Sequence, residues 1–245
     1  MPVDDATMTK AEHGDRVFIA IDTLDIVIAK TLARQVSGIV GGIKIGKEFF
    51  TAHGPEGARR VCAAAGLPLF LDLKFHDIPN TVAGAVRASL SLKPCIVNVH
   101  AAGGAVMMRA AAEAARQAGN DRPLVIGVTV LTSFDDDDLK SIGISISTRE
   151  QVVRLALLAR DSGLDGVVCS PYEIADLRAA CGPDFKLVVP GIRPTWAAAG
   201  DQKRIMTPVD AVALGADHLV IGRPITAAAE PADAARTIVA ELAAG

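Results

Sequence analysis

The 245-residue chain is poor in aromatic side chains, with seven Phe, one Trp and one Tyr. It also lacks any apolar stretch long enough to span a bilayer, and its N-terminus lacks the apolar segment of a signal peptide. The expectation is therefore no membrane partner and a cytoplasmic location. No basic cluster breaks the net charge of −3, so the charge pattern gives no support for nucleic-acid binding. Cysteine is sparse as well. Cys62, Cys95, Cys169 and Cys181 form no Cys-x-x-Cys pair and sit in apolar segments. They read as small core residues of a reducing compartment, which speaks against a disulfide frame or a zinc site. No Gly-x-Gly-x-x-Gly follows the first apolar run, so the dinucleotide fingerprint of a doubly wound sheet is missing.

Ala, Val, Ile, Leu and Gly dominate instead, and half of the chain is hydrophobic. Such a composition suits helices packed on a parallel sheet whose strands are continuous apolar runs. The length suits one large α/β domain. Apolar runs at 17–21, 38–43, 69–73, 95–99, 124–130, 166–169, 187–189 and 218–221 alternate with amphipathic stretches such as 24–36, 82–90, 105–118, 149–161 and 209–214. Thr23, Thr148 and Thr207 are candidate N-caps, and Pro208 suits a first helical position. Gly38, Gly66, Gly119, Gly163 and Gly215 punctuate the returns to strand. Strict alternation predicts a parallel sheet, and eight units in this length predict a closed (β/α)8 TIM barrel over residues 15–245. Residues 1–14 are polar and patternless, which predicts a disordered tail.

Active sites on this fold lie at the C-terminal ends of the strands. Asp72 and Lys74, at the end of Leu69-Phe70-Leu71, share one face of their strand with Phe70. Taken alone they can be a structural ion pair closing a strand. Asp22 is in phase with Phe18 and Ala20, and Lys44 with Val40 and Gly42, so three neighbouring strands deliver Asp, Lys, Asp and Lys to one rim. Gly42 is expected to leave room above it for the lysine or a ligand. Across the barrel, Pro190-Gly191-Ile192-Arg193-Pro194 and Gly222-Arg223-Pro224 follow the last two strands, where this fold recurrently binds phosphate. Their glycines let backbone N–H groups approach an anion, and each arginine adds a permanent donor fork. The segment 195–205, with Gln202, reads as a lid. Thr132-Ser133 is placed to hydrogen-bond a ligand. The acidic run 135–138 reads as a solvated loop, since it lacks the spacing and glutamate of a calcium loop. His76 and His100 are expected in supporting or core roles, and Glu48 and Glu56 on exposed helix surface.

In these residues the chain closely resembles the orotidine 5'-phosphate decarboxylases of the short bacterial type. The likeness runs from about Arg16 to the C-terminus. Its most specific stretch is Asp72-Leu73-Lys74-Phe75-His76-Asp77-Ile78-Pro79-Asn80-Thr81, joined by Leu131-Thr132-Ser133, Pro190-Gly191-Ile192-Arg193-Pro194, Gly200-Asp201-Gln202 and Val220-Ile221-Gly222-Arg223-Pro224-Ile225. No expected site position is substituted. The resemblance implies a cofactor-free carboxy-lyase of pyrimidine nucleotide synthesis, with Lys44, Asp72, Lys74 and Asp77 as an alternating charge network and Lys74 as the proton donor to C6. It implies a homodimer in which Asp77 and Thr81 reach the partner's ribose, with Asp22 on the ribose hydroxyls and Thr132 on the base. Gln202, Arg193, Gly222 and Arg223 would hold the phosphate. Charge logic agrees, because a lysine between two carboxylates is an acid and a poor nucleophile, and the same lysines compete with a divalent cation for the carboxylates. The rivals are a magnesium-dependent sugar-phosphate lyase or isomerase on the same barrel, a Schiff-base aldolase using Lys74, and an inactive nucleotide-binding barrel.

Overall fold

Runs of aliphatic residues form parallel strands because both faces of each strand are covered, inward by the barrel and outward by helices. The computed structural model describes residues 13–197 and 206–245. The strands are β1 Val17–Ile21, β2 Gly42–Gly46, β3 Leu69–Phe75, β4 Ile96–His100, β5 Leu124–Val128, β6 Gly166–Val168, β7 Lys186–Val189 and β8 His218–Ile221. They pair in sequence order, and β1 pairs with β8 to close the barrel. The helices packed around it are α1 Ile26–Gln35, α2 Lys47–Ala65, α3 Pro79–Ser89, α4 Gly104–Arg116, α5 Asp136–Ser141, α6 Thr148–Asp161, α7 Ile174–Cys181, α8 Pro208–Ala213, α9 Arg223–Thr226 and α10 Pro231–Ala244. The predicted (β/α)8 barrel is the fold observed. No helix among the described residues is long and apolar enough to cross a membrane.

Alternation along the strands splits the core in two. Phe18, Ala20, Phe70, Ile96, Ile126, Val188 and Val220 point inward and plug the barrel. Their neighbours, such as Ile19, Ile43, Leu71, Val97 and Leu219, point outward to the helices. All four cysteines are free. Burial pushes the thiols of Cys62 and Cys95 up, to about 11 and about 12. They are packing residues in the protonated form.

Several boundaries differ from the sequence reading. The second strand begins at Gly42, because Gly38 adopts a left-handed φ of 72° and turns the run 38–41 beneath the barrel. There Gly41 N–H donates to the carbonyls of Gly14 and Val17. His13 and Gly14, assigned to the tail from sequence, are buried against this turn; residues 1–12 lie outside the described residues. Asp25, and not Thr23, caps α1, accepting from the N–H groups of Val27 and Ile28. Ser147 in place of Thr148 caps α6, with Glu150 completing a capping box. Thr207 caps α8 with Pro208 at the first position, as expected. The acidic run is no loop: Asp135 caps α5 in a box with Asp138, and carboxylates at a helix start are favoured by its dipole.

Candidate active site

The rim of β1, β2 and β3 gathers the charged residues read from sequence. Asp72 sits at the centre, buried, with Lys44 Nζ 3.2 Å from its Oδ2 and Lys74 Nζ 2.5 Å from its Oδ1. Lys44 also lies 3.5 Å from Asp22, whose side chain is half exposed. Burial pushes the Asp72 carboxyl up, but Lys44 and then Lys74, with hydrogen bonds from Lys74 and Asn98, outweigh it and hold its pKa below the ordinary 3.8. Unit charges ~4 Å apart at an effective dielectric near 20 attract by about 4 kcal/mol, enough for two such neighbours to overcome the burial cost.

The register of β3 explains how Lys74 reaches this position. Leu71 pairs with Val97 and Phe75 with Val99, so Asp72, Leu73 and Lys74 all stand opposite Asn98 alone. Lys74 takes a left-handed φ of 52° within this bulge. For a residue with a Cβ that conformation costs about 1–3 kcal/mol, and it persists where its surroundings hold it. Bulges re-aim side chains beside active sites. Asn98 was missed from sequence. It is fully buried, its Nδ2 donates to Asp72 Oδ1 at 2.7 Å, and its Oδ1 accepts from the Lys74 backbone N–H at 2.7 Å. The signal available was an amide in phase with Ile96 within an otherwise apolar strand.

Two glycines have roles the sequence did not assign correctly. Gly42 makes no room for the lysine; a Cβ there would stand 2.4 Å from the Phe18 ring, so it accommodates the barrel plug. The space at the rim comes from Gly46, where a Cβ would lie 3.0 Å from Asp22 Oδ1 and 3.1 Å from Lys44 Nζ. Gly46→Ala is expected to cost activity more than stability. Stability should fall by no more than the lower end of the ~1–3 kcal/mol overpacking range, because both crowded atoms end flexible side chains. Steady-state kinetics beside a thermal melt checks this; full activity would show that the Lys44–Asp22 approach is not needed.

Below the rim lies a cavity of about 180 Å³ with two unlike walls. Lys44, Asp72 and Lys74 form one side; Val128, Val130, Leu131, Val168, Val188, Pro190 and Val220 form the other, with Phe70 and Thr132 completing the lining. Thr132 therefore reaches the cavity, while Ser133 is not among its lining residues. A flat ring fits such a site, with polar edge groups toward the charges and its faces on aliphatic carbon.

On the far side, Ile192 bridges to Met206 and Arg193 N–H donates to the Met206 carbonyl; of the lid read from sequence at 195–205, residues 198–205 lie outside the described residues. Arg193 is buried, and its guanidinium donates to the Ile192 carbonyl with no carboxylate partner among the described residues. Burial, then the charge of Arg223, pushes its pKa down from its ordinary value. Two guanidiniums so placed are complementary to an anion. Gly222 precedes Arg223 at the start of α9. Gln202 lies outside the described residues.

Asp77 and Thr81 do not join this cluster. Both are exposed where β3 passes into α3, and Asp77 accepts from the adjacent Ile78 N–H, at 2.6 Å. His76 and His100 stack 5.3 Å apart beside the rim. Burial, then the neighbouring His76, Lys47 and Lys74, pushes His100 down to about 4, so its ring is neutral at physiological pH. Glu48 is exposed on α2, as is Glu56, both as expected.

A (β/α)8 barrel with an acid–base cluster on one side of its mouth and paired arginines beyond its last two strands is built as an enzyme for a small anionic substrate. Residues 15–238 match the orotidine 5'-phosphate decarboxylase / HUMPS family, and the chain belongs to it. An orotidine 5'-phosphate decarboxylase of Rhodospirillum rubrum is 58% identical over 230 residues, covering 92% of this chain and 93% of the relative. One of Paramagnetospirillum magneticum is 55% identical, covering 92% and 97%. Among solved structures, the orotidine 5'-phosphate decarboxylase of Lactobacillus acidophilus superposes with a TM-score of 0.82 at 35% identity, covering 92% of this chain and 98% of that one.

Proposed function

We propose that the chain decarboxylates orotidine 5'-phosphate to uridine 5'-phosphate and carbon dioxide, as a cytoplasmic enzyme of pyrimidine nucleotide synthesis. The observation that carries this reading is Asp72 held between Lys44 and Lys74 at the mouth of an apolar-walled cavity. In the reaction the bond from C6 to the carboxylate breaks and leaves its electron pair on C6. The ammonium of Lys74 gives a proton to C6, so the products are a C6–H uridine nucleotide and carbon dioxide. The resulting amine regains its proton from water. A fixed cation beside the developing carbanion stabilises it without reorganisation, and preorganised fields of this kind usually contribute most to catalysis.

The cavity has room for the pyrimidine, with Thr132 available to its edge. The ribose and phosphate would extend past Asp22 toward Arg193, Gly222, Arg223 and Gln202. Binding energy from the phosphate can be used to position the base at Lys74. Both oxygens of Asp72 already bear lysine ammonium groups, which disfavours a divalent cation there and supports the decarboxylase over the sugar-phosphate reading.

Asp77 and Thr81 are assigned to the active site of a second subunit, where Asp77 would complete the charge network and both would contact the ribose. Their exposure, and that of the apolar Ile78 between them at 67%, supports a homodimer that covers this turn.

Orotidine 5'-phosphate incubated in excess EDTA should yield uridine 5'-phosphate and carbon dioxide in equal amounts. A need for added magnesium, or a borohydride-trapped adduct on Lys74, would overturn the reading in favour of a rival. Arg223→Ala is expected to raise KM and lower kcat/KM by roughly 10- to 150-fold, the equivalent of one charge-assisted hydrogen bond. Steady-state kinetics tests this, and unchanged constants would remove Arg223 from the phosphate site.

A further inference from the structure

Asp72 and Lys74 lie next to each other, but nothing about a strand end fixes them in the arrangement seen. The bulge leaves three consecutive residues of β3 facing a single residue of β4, and that residue is Asn98. Its side chain is fully buried and touches both functional groups through different atoms. The carbonyl oxygen takes the Lys74 backbone N–H, and the amide nitrogen gives a hydrogen to Asp72 Oδ1. That same carboxylate oxygen takes Lys74 Nζ. The orientation of the amide is forced, since a backbone N–H can only donate and a carboxylate can only accept. One planar group therefore spans the bulge.

We propose that Asn98 is a positioning residue of the proposed decarboxylase site, which locks the left-handed Lys74 backbone and the Asp72 carboxylate into one register so that the Lys74 ammonium is presented to the cavity. Asn98 is absent from the cavity lining and would make no contact with substrate. Its effect therefore belongs on the chemical step. No other natural side chain of similar size offers an acceptor and a donor on one rigid fork at neutral pH. Serine is too short to reach both partners. Leucine fills the volume and satisfies neither. Aspartate keeps the acceptor for Lys74 N–H but sets a second carboxylate against Asp72, among the charges of Lys44 and Lys74 and beside His100.

The inference rests on the decarboxylase reading for its kinetic consequences, so it is tested by kinetics and by a readout that needs no turnover. Asn98→Ser and Asn98→Asp are compared with wild type for kcat, KM, uridine 5'-phosphate binding and amide hydrogen exchange at Lys74. In Asn98→Ser, kcat should fall roughly 10- to 100-fold while the nucleotide dissociation constant changes less than about threefold, the signature of an interaction that acts on the transition state alone. The Lys74 amide, protected in wild type, should exchange at least about tenfold faster as its hydrogen bond is lost. Asn98→Asp should be impaired at neutral pH and regain activity as the pH falls. One proton shared between the two carboxylates restores the donor that the amide supplied. A kcat that recovers on acidification while the melting temperature and the nucleotide dissociation constant stay unmoved has no counterpart in a merely structural role.

Asn98→Ser with wild-type kcat and an unchanged Lys74 amide would overturn the proposal. So would a parallel loss of kcat and nucleotide binding in both variants, which marks general disruption. If wild type itself leaves orotidine 5'-phosphate intact, the decarboxylase reading fails, while Lys74 amide exchange still decides whether Asn98 holds the bulge.

Discussion

Lys74→Ala is expected to fold and to leave orotidine 5'-phosphate almost untouched. The side chain is proposed to give the C6 proton and to put a cation beside the developing carbanion. General acid catalysis is worth about 10²–10⁴-fold and a preorganised electrostatic contact about 10²–10³-fold. The two roles overlap in one group and are not additive, so a loss of roughly 10⁴-fold or more in kcat is the expectation. Folding should survive. Lys74 is partly exposed at the strand end, and Lys44 remains within 3.2 Å of the Asp72 carboxylate. The replacement also keeps the backbone N–H that bonds Asn98, although alanine must take the same left-handed φ. A far-UV spectrum and a thermal melt establish the fold, and absorbance of the nucleotide follows the reaction. Appreciable turnover by a folded Lys74→Ala protein would remove Lys74 as the acid.

Asp72→Ala should damage both stability and activity. It strips a buried carboxylate from two lysines and leaves Lys44, itself buried, with the half-exposed Asp22 at 3.5 Å. Removing one partner from a buried ion pair costs about 3–5 kcal/mol, because an unmatched charge stays behind. For a chain of this size that corresponds to a fall of roughly 6–20 °C in melting temperature. The pH dependence has a definite sign. The folded pKa of Asp72 is depressed, so its contribution is present above the ordinary 3.8 and is lost as the pH falls through the lower folded value. The stability gap between wild type and Asp72→Ala, measured by urea unfolding, should therefore be widest near neutrality and narrow below pH 3.8. A gap that stays constant through the acid range would mean that the carboxylate is not stabilised by its lysines. Activity should fall with stability, since Lys44 and Lys74 would repel each other without the charge between them.

The rim was legible in the sequence because charged residues are conspicuous on apolar strands and the two-residue period fixes which face they share. Asp22, Lys44 and Asp72 needed no more than that, whereas Lys74 reaches the same rim through a bulge that breaks the period. The boundaries of β2 were not legible. Ile39 and Val40 look like strand, and only the left-handed turn at Gly38 with the contacts of Gly41 to Gly14 and Val17 keeps them beneath it. Lys44 looks like the close of the strand, yet β2 runs through it to Gly46, because a charged side chain can sit inside a barrel when a carboxylate meets it there. Asn98 was hidden for a different reason. One amide among valines carries no signal until a bulge on the neighbouring strand, set by tertiary pairing, gives it two partners. Asp77 shows the limit of adjacency. Three residues beyond Lys74, it already faces outward on the turn into α3, and only the family resemblance suggested a second subunit for it. Helix caps were read correctly at Thr207, where the proline that follows fixes the start, and missed at Asp25 and Ser147, where a neighbouring threonine competes.

Decarboxylation of this nucleotide by lysine and aspartate side chains, without a metal, is the proposition on which the rest depends. The most direct measurement is the ultraviolet absorbance of orotidine 5'-phosphate mixed with metal-stripped wild-type protein in excess EDTA. That absorbance should be lost completely, at a rate that added magnesium does not raise. Unchanged absorbance from a folded protein that binds uridine 5'-phosphate would contradict the proposed chemistry.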